Sequence, residues 1–287
     1  MLSTTGQSVL HRRFLLLAWA VLAAIPVFYI ATHVVAASRN IVFWDEFDTA
    51  LDLILRIHAG ADWRELLQRF FAINNEHRTV TSRLMFAASY WLTGTVNFHV
   101  IGAIGNLFLV GACATLVWSA ASWERRVRMG VVLAFLMFQL EHFENFIWSG
   151  ASIDHFQVVM LGVVAVVALA RGGNASTIPG SSPQASTEGS PTEVRRVAGK
   201  AWRLLGLAVV FGVLATFTLA QGNVVWPVGA CLLAHQRRWN ELVAWLACAV
   251  LAVAAFLHGF EFNPNHNVTD ISLQTIGHVG RYWEAAA

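Results

Sequence analysis

Residues 11–48 read HRRFLLLAWAVLAAIPVFYIATHVVAASRNIVFWDEFD, and this one stretch decides the fold class. His11, Arg12 and Arg13 precede an apolar run from Phe14 to Ala37, and an acidic cluster of Asp45, Glu46 and Asp48 follows it. A helix needs about 20 apolar residues to cross the hydrocarbon core of a bilayer. This run is long enough to cross. It is also longer than the apolar region of a cleaved signal peptide, which ends in a small-residue cleavage site. It reads as a retained first span.

Working outward, further apolar runs lie at about 98–120, 129–140, 156–170, 203–220, 223–235 and 240–258. The expected fold class is therefore all-α: a polytopic transmembrane helical bundle of about seven spans. The runs 129–140 and 223–235 are short for a full crossing, and imply tilted, broken or re-entrant segments. Composition agrees, with 56% hydrophobic and 13% charged residues, against about 25% charged in soluble domains. The mean hydropathy is +0.56. A membrane β-barrel is excluded because no ten-residue alternating segments appear. No basic, aromatic-interleaved patch suggests nucleic acid. Cys113, Cys231 and Cys248 all fall inside apolar runs and read as packing residues rather than a disulfide or metal framework.

Charge sets the expected orientation. With the N-terminus in the cytoplasm, Arg125, Arg126, Arg128, Arg171, Arg195, Arg196, Lys200, Arg237 and Arg238 all fall inside. The acids Asp45, Glu46, Asp48, Glu141, Glu144, Asp154, Glu261 and Asp270 fall outside. That is the distribution the positive-inside rule demands. The chain divides into an N-terminal membrane region (1–171) with a first outer loop (38–97), a linker (172–200), C-terminal transmembrane helices (201–260) and an outer tail (261–287). The linker is rich in Gly, Ser, Thr and Pro, a composition that buries too little apolar surface to order itself.

Within the outer loop, Phe47, Leu51, Ile54, Leu55 and His58 recur at helical spacing, as do Trp63, Leu66, Leu67, Phe70 and Phe71. Each predicted helix has one apolar face, which suits the membrane surface. Asp62 with Glu65 resembles a capping box opening the second of them. Segment 80–92, with Arg83 in it, is expected as an interfacial or partly inserted helix; a full crossing there would put Arg125–Arg128 outside.

Four constellations could carry chemistry. Trp44-Asp45-Glu46 offers adjacent carboxylates that could act as a general base or hold a divalent cation such as Mg or Mn, while Asp45 could equally be a helix N-cap. Asn75-Glu76-His77-Arg78 offers a guanidinium fork for phosphate and groups for hydroxyls, or a solvated inter-helix turn. If helical, Glu141, Glu144, Asn145 and Trp148 share one face; with His142, Asp154 and His155 nearby, that face suits a sugar ring. Trp148 could instead be an aromatic-belt anchor. No zinc spacing is present. Gln221-Gly222-Asn223 reads more simply as a tight turn than as a site.

The placement of Trp44-Asp45-Glu46 just past the first span, followed by surface helices and a polar turn, resembles the GT-C superfamily of membrane glycosyltransferases. The likeness covers roughly 10–160 clearly and 200–260 only as further spans. It implies transfer of a sugar from a polyprenyl-phosphate donor to a glycan or lipid acceptor on the outer face, in a bacterial inner (plasma) membrane. Asp45 would be the base, Glu46 its support or a metal ligand, and Glu76, His77 and Arg78 would lie at the donor. Glu141, His142, Glu144, Asn145, Asp154 and His155 would line a sugar. Members usually have more spans and often a soluble C-terminal domain, so the chain would be a compact member, a truncated product or a fragment. A transporter or a non-enzymatic membrane assembly protein stands as the alternative, although the ionisable residues gather at the outer surface rather than mid-span.

Overall fold

The wide spacing between apolar runs is met by helices throughout, and the computed structural model describes residues 4–74, 77–176 and 191–260. Twelve α-helices are present among them, with no named strand and one isolated bridge, Asn74 to His77. They are α1 Thr4–Ala37, α2 Asp52–His58, α3 Trp63–Phe70, α4 Val80–Thr93, α5 Phe98–Ser119 and α6 Trp123–Met137. After these come α7 Phe143–Ile147, α8 Ser149–Ala151, α9 Gln157–Ser176, α10 Pro191–Thr216, α11 Val225–His235 and α12 Trp239–Leu257. Met1–Phe256 forms one compact unit and the segment from Leu257 a second.

Among the described residues five helices are long and apolar enough to cross a membrane: Phe14–Ala37, Phe98–Ser119, Ser149–Gly173, Ala198–Thr216 and Trp239–Leu257. A sixth crossing is present if Trp123–Met137 and Leu140–Ile147, bent by 51°, count as one. The chain is thus an integral membrane protein. The expected run 129–140 is the first part of that bent pair. The expected run 223–235 is α11, whose 11 residues rise only about 16 Å, well short of a hydrocarbon core. Both ends of the stretch expected as a linker, 172–200, are helical, since α9 runs to Ser176 and α10 starts at Pro191. Residues 177–190 and the tail 261–287 lie outside the described residues, as do Asn75 and Glu76.

Local sequence explains where helices start. Asp62 Oδ1 accepts the Arg64 and Glu65 amides at 2.8 and 2.9 Å, opening α3. The reciprocal half of the expected capping box is replaced by an ion pair, Glu65 turning instead to Arg56 at 2.5 Å. Asn97 opens α5 and Ser122 opens α6 by the same side-chain-to-amide bond. Each such bond satisfies a donor that the helix cannot satisfy itself.

The largest core joins α9, α10, α11 and α12 around Trp226 and Trp245, whose rings lie 4.6 Å apart. Both buried indoles keep their hydrogen bonds: Trp245 donates to the Trp226 carbonyl and Trp226 to Thr216 Oγ1, each at 2.9 Å. Gly229 makes the fit possible, because a Cβ there would stand 2.5 Å from the Trp245 ring. A second core packs Ile30 of α1 against Leu109, Phe138, Phe146 and Phe156. Elsewhere α1 exposes Phe14, Leu17, Ile25, Phe28 and Val35, as a helix facing lipid does.

The end of α1, the start of α5, the start of α8 and the ends of α10 and α12 meet at one end of the bundle. Ser38 Oγ bonds His99 Nδ1 at 3.0 Å, and the Phe98 amide donates to Asn40 Oδ1 at 2.9 Å. The Val80 amide donates to the Phe217 carbonyl at 2.9 Å. At the other end Arg238 is buried, donating to the Leu169 carbonyl and pairing with Glu241 at 3.2 Å.

Candidate functional site

Glu46 is 1% exposed, and every part of its carboxylate is occupied. Oε2 accepts the Phe43 amide at 2.8 Å while the Glu46 amide donates back to the Phe43 carbonyl at 3.1 Å. This reciprocal pair closes the turn Phe43–Glu46 that leads into the π-helical segment Phe47–Leu51. Oε1 accepts the Gly150 amide at 2.7 Å and a short bond from Ser149 Oγ. Those donors open the apolar helix Ser149–Gly173, whose N-terminus favours negative charge. One carboxylate therefore ties the turn Phe43–Glu46 to a helix start about a hundred residues further along the chain. Burial pushes the Glu46 carboxyl above its ordinary range, and the bonds from Ser149, Phe43 and Gly150 oppose that rise.

Asp45 is exposed, and its backbone carbonyl accepts the Thr49 amide at 2.8 Å and the Thr49 hydroxyl at 2.7 Å. Its carboxylate stands near enough to Asp154 for the two charges to interact. Both acids adjoin wide π-helical turns, Phe47–Leu51 and Ser152–Phe156, a distortion that often marks functional sites. The second turn packs against α5 at Gly105, where a Cβ would stand 2.4 Å from Ser152 Oγ.

Asp154 accepts a short bond from Ser82 of α4 and feels the charges of Arg83, Asp45 and Glu46. Arg83 is fully buried, and its Nη1 donates to the Phe70 and Ala72 carbonyls at 3.1 and 2.5 Å, closing the end of α3. Among the described residues its Nε and Nη2 have no hydrogen-bond partner. Loss of water and the nearby Arg69 and Arg78 lower its guanidinium to about 10, against the pull of Asp154 and Asp52. Arg69 Nε lies 2.5 Å from Asp52 Oδ2, and Arg56 Nε 3.0 Å from the same oxygen. From Arg69 through Asp52 and Arg56 to Glu65, guanidiniums and carboxylates thus alternate across one end of the bundle.

Arg78 is buried, donating Nε to the Phe256 carbonyl at 2.7 Å and Nη1 to the Phe71 carbonyl, so it caps the end of α12. Burial lowers its guanidinium from the ordinary value. His77 Nδ1 accepts the Ala220 amide at 3.3 Å, tying the loop to the turn between α10 and α11. The third expected member, Glu76, lies outside the described residues.

The single face expected for Glu141, Glu144, Asn145 and Trp148 does not form. Glu141 and His142 lie in a 3-10 turn, Leu140–His142, while Glu144 and Asn145 lie in α7 and Trp148 turns out of it with ψ 117°. The break lets the chain bend before α8, and it aims Trp148 at Glu46. Glu141 and Glu144 are exposed and make no side-chain hydrogen bond among the described residues. His155 is exposed, its Nδ1 3.0 Å from the Ala151 carbonyl. A divalent cation does not fit these residues. Among the described residues no three His, Cys, Asp or Glu side chains group as ligands, and Glu46 is saturated by donors.

Sequence reasoning passed over Ser149, Gly150 and Ser82, and it placed Arg83 without giving it a role. An arginine in an apolar helix was the available signal for Arg83. No family model, curated protein or solved structure matches the chain.

Proposed function

We propose that this chain is a multi-pass membrane glycosyltransferase moving a sugar from a polyprenyl-phosphate donor to a glycan or lipid acceptor on the outer face. In this reading the N-terminus is cytoplasmic and the chain crosses seven times, with the bent α6–α7 pair as one crossing and the short α11 completed by the 3-10 turn Ala220–Val224 before it. Helices α2 and α3 lie at the membrane surface, and the site faces outward. One observation carries the reading: Asp45, Glu46 and Asp154 converge with Arg83 and Arg78 at one end of an apolar bundle.

The roles divide by exposure. Asp45, the exposed carboxylate, takes the proton from the acceptor hydroxyl. The acceptor oxygen then bonds to the sugar's anomeric carbon as its bond to the phosphate oxygen breaks, and polyprenyl phosphate leaves. Glu46 is a positioning residue that holds the turn bearing Asp45 against the start of the Ser149–Gly173 helix. The arginine cluster supplies the positive field that a departing phosphate needs. A lipid-linked substrate also explains a site set at the end of apolar spans.

The test uses the full chain in proteoliposomes with polyprenyl-phosphate hexoses and pentoses labelled in the sugar. Label should pass to an acceptor with release of polyprenyl phosphate. Failure to transfer from every donor, with solute uptake instead, would replace this reading by a transporter.

A further inference from the structure

Beside Glu46 lies a cavity of about 150 Å³, lined by Ala37, Arg39, Phe43, Glu46, Trp148 and Ser149 among others. A cavity of about this volume holds a single six-membered ring in other proteins. Its aromatic walls form a corner, with Phe43 and Trp148 5.7 Å apart at 78°. Trp44 stands behind this corner, stacked on Phe43 at 5.4 Å and 8° and edge-on to Trp148 at 5.9 Å, so that it sets the orientation of both walls.

Trp44 is 68% exposed yet held in a left-handed backbone conformation, φ 44°. A bulky residue is strained in that region. The Phe43–Glu46 bracket closes around this position and fixes it. An indole that only anchors a protein at the membrane surface needs depth and no set orientation. Here the orientation is set at a cost.

The polar lining selects the ligand's charge. Arg39 Nη1 donates to the Ala36 and Ser38 carbonyls at 2.9 Å each, and its Nε and Nη2 have no partner among the described residues. Glu46, on the same wall, disfavours an anion, and Arg39 disfavours a purely apolar guest. A neutral ring with hydroxyl edges and C–H faces meets both demands, because aromatic faces are electron-rich and attract the positive edges of C–H bonds.

We propose that this corner is a subsite for one neutral sugar ring, seated between Phe43 and Trp148, whose rings Trp44 holds in place, with its hydroxyls toward Arg39. The choice of a sugar over another neutral ring rests on the glycosyltransferase reading above, whereas binding needs neither Asp45 nor a donor lipid.

Saturation-transfer NMR on the full chain in nanodiscs tests this with four methyl glycosides, of glucose, galactose, mannose and arabinose, and with glycerol 3-phosphate. At least one glycoside should receive saturation, most strongly at the C–H protons of one ring face. Trp44→Leu should lower that signal roughly two- to tenfold, the range of one aromatic contact. Trp44→Gly, which removes the strain, should melt no lower than wild type and still lose the signal. No glycoside signal above empty nanodiscs, an unchanged signal in both variants, or saturation of glycerol 3-phosphate alone would each overturn the subsite. If Trp44-dependent binding is found and no donor sugar is ever transferred, the subsite stands and the catalytic reading falls. If transfer occurs and Trp44→Leu neither binds nor transfers differently, the reverse holds.

Discussion

Replacing Glu46 should damage the fold more than replacing its exposed neighbour, by an amount that follows from its partners. Glu46→Ala leaves the Phe43 and Gly150 amides and the Ser149 hydroxyl without their acceptor. A buried donor left unpaired costs about 1–3 kcal/mol. Three such groups, partly rehydrated through the adjoining cavity, sum to roughly 3–5 kcal/mol. At about 2–4 °C per kcal/mol, the melting temperature should fall by roughly 6–20 °C. Asp45→Asn should stay within about 1 kcal/mol of wild type, as exposed substitutions do. The pH dependence carries a sign as well. Burial raises the Glu46 carboxyl above 4.5, so the fold favours its protonated form. The associated stability is full below that value and is lost as pH rises through the folded pKa. Glu46→Gln does not titrate, so wild type should lose stability relative to it over that window. The assay is thermal unfolding of detergent-solubilised protein across the acidic range, followed by reaction of a thiol dye with Cys113 and Cys248. Equal melting of Glu46→Ala and Asp45→Asn, or a wild-type advantage over Glu46→Gln that grows with pH, would refute this account of Glu46.

Asp45→Asn should accumulate normally yet lose about 10²–10⁴-fold in sugar transfer, the usual loss on removing a general base. Glu65→Gln, which breaks only an exposed ion pair with Arg56, should remain active in the same assay. Single cysteines at Ser38 and Thr95, in a background lacking Cys113, Cys231 and Cys248, should react with an impermeant reagent on intact cells. One at Arg125 should not, and labelling at Arg125 would reverse the orientation. Gly229→Ala should cost roughly 1–3 kcal/mol by driving a methyl into the fully buried Trp245, read as a lower melting temperature.

What was legible in the sequence is what depends on local composition. The length of the run Phe14–Ala37, the apolar segments that became α5, α9, α10 and α12, and the Asp62 cap of α3 could all be read. Lipid sets the length of a spanning helix and water the placement of charge, and neither requires knowing which helix packs on which. The bend after α6 was foreshadowed only as a short run. The one-faced helix expected over 141–148 failed because the chain turns sharply at Trp148, a turn that the start of the next long helix demands.

The site was a different matter. Asp45 and Glu46 were singled out as a pair, yet sequence could not say which is exposed and which is a clasp. That depends on whether Ser149 and Gly150 arrive beside residue 46, and hence on how α1, α5 and the Ser149–Gly173 helix pack. The same holds for Arg78, expected at a phosphate and found closing α12 at Phe256, and for Arg83, which meets Asp154 only because α4 lies beside that helix. A side chain's tendency to be buried or to bond is encoded locally. Its partner is not, because a hydrogen bond extends about 3 Å and only the tertiary fold brings residues so distant in sequence to that range.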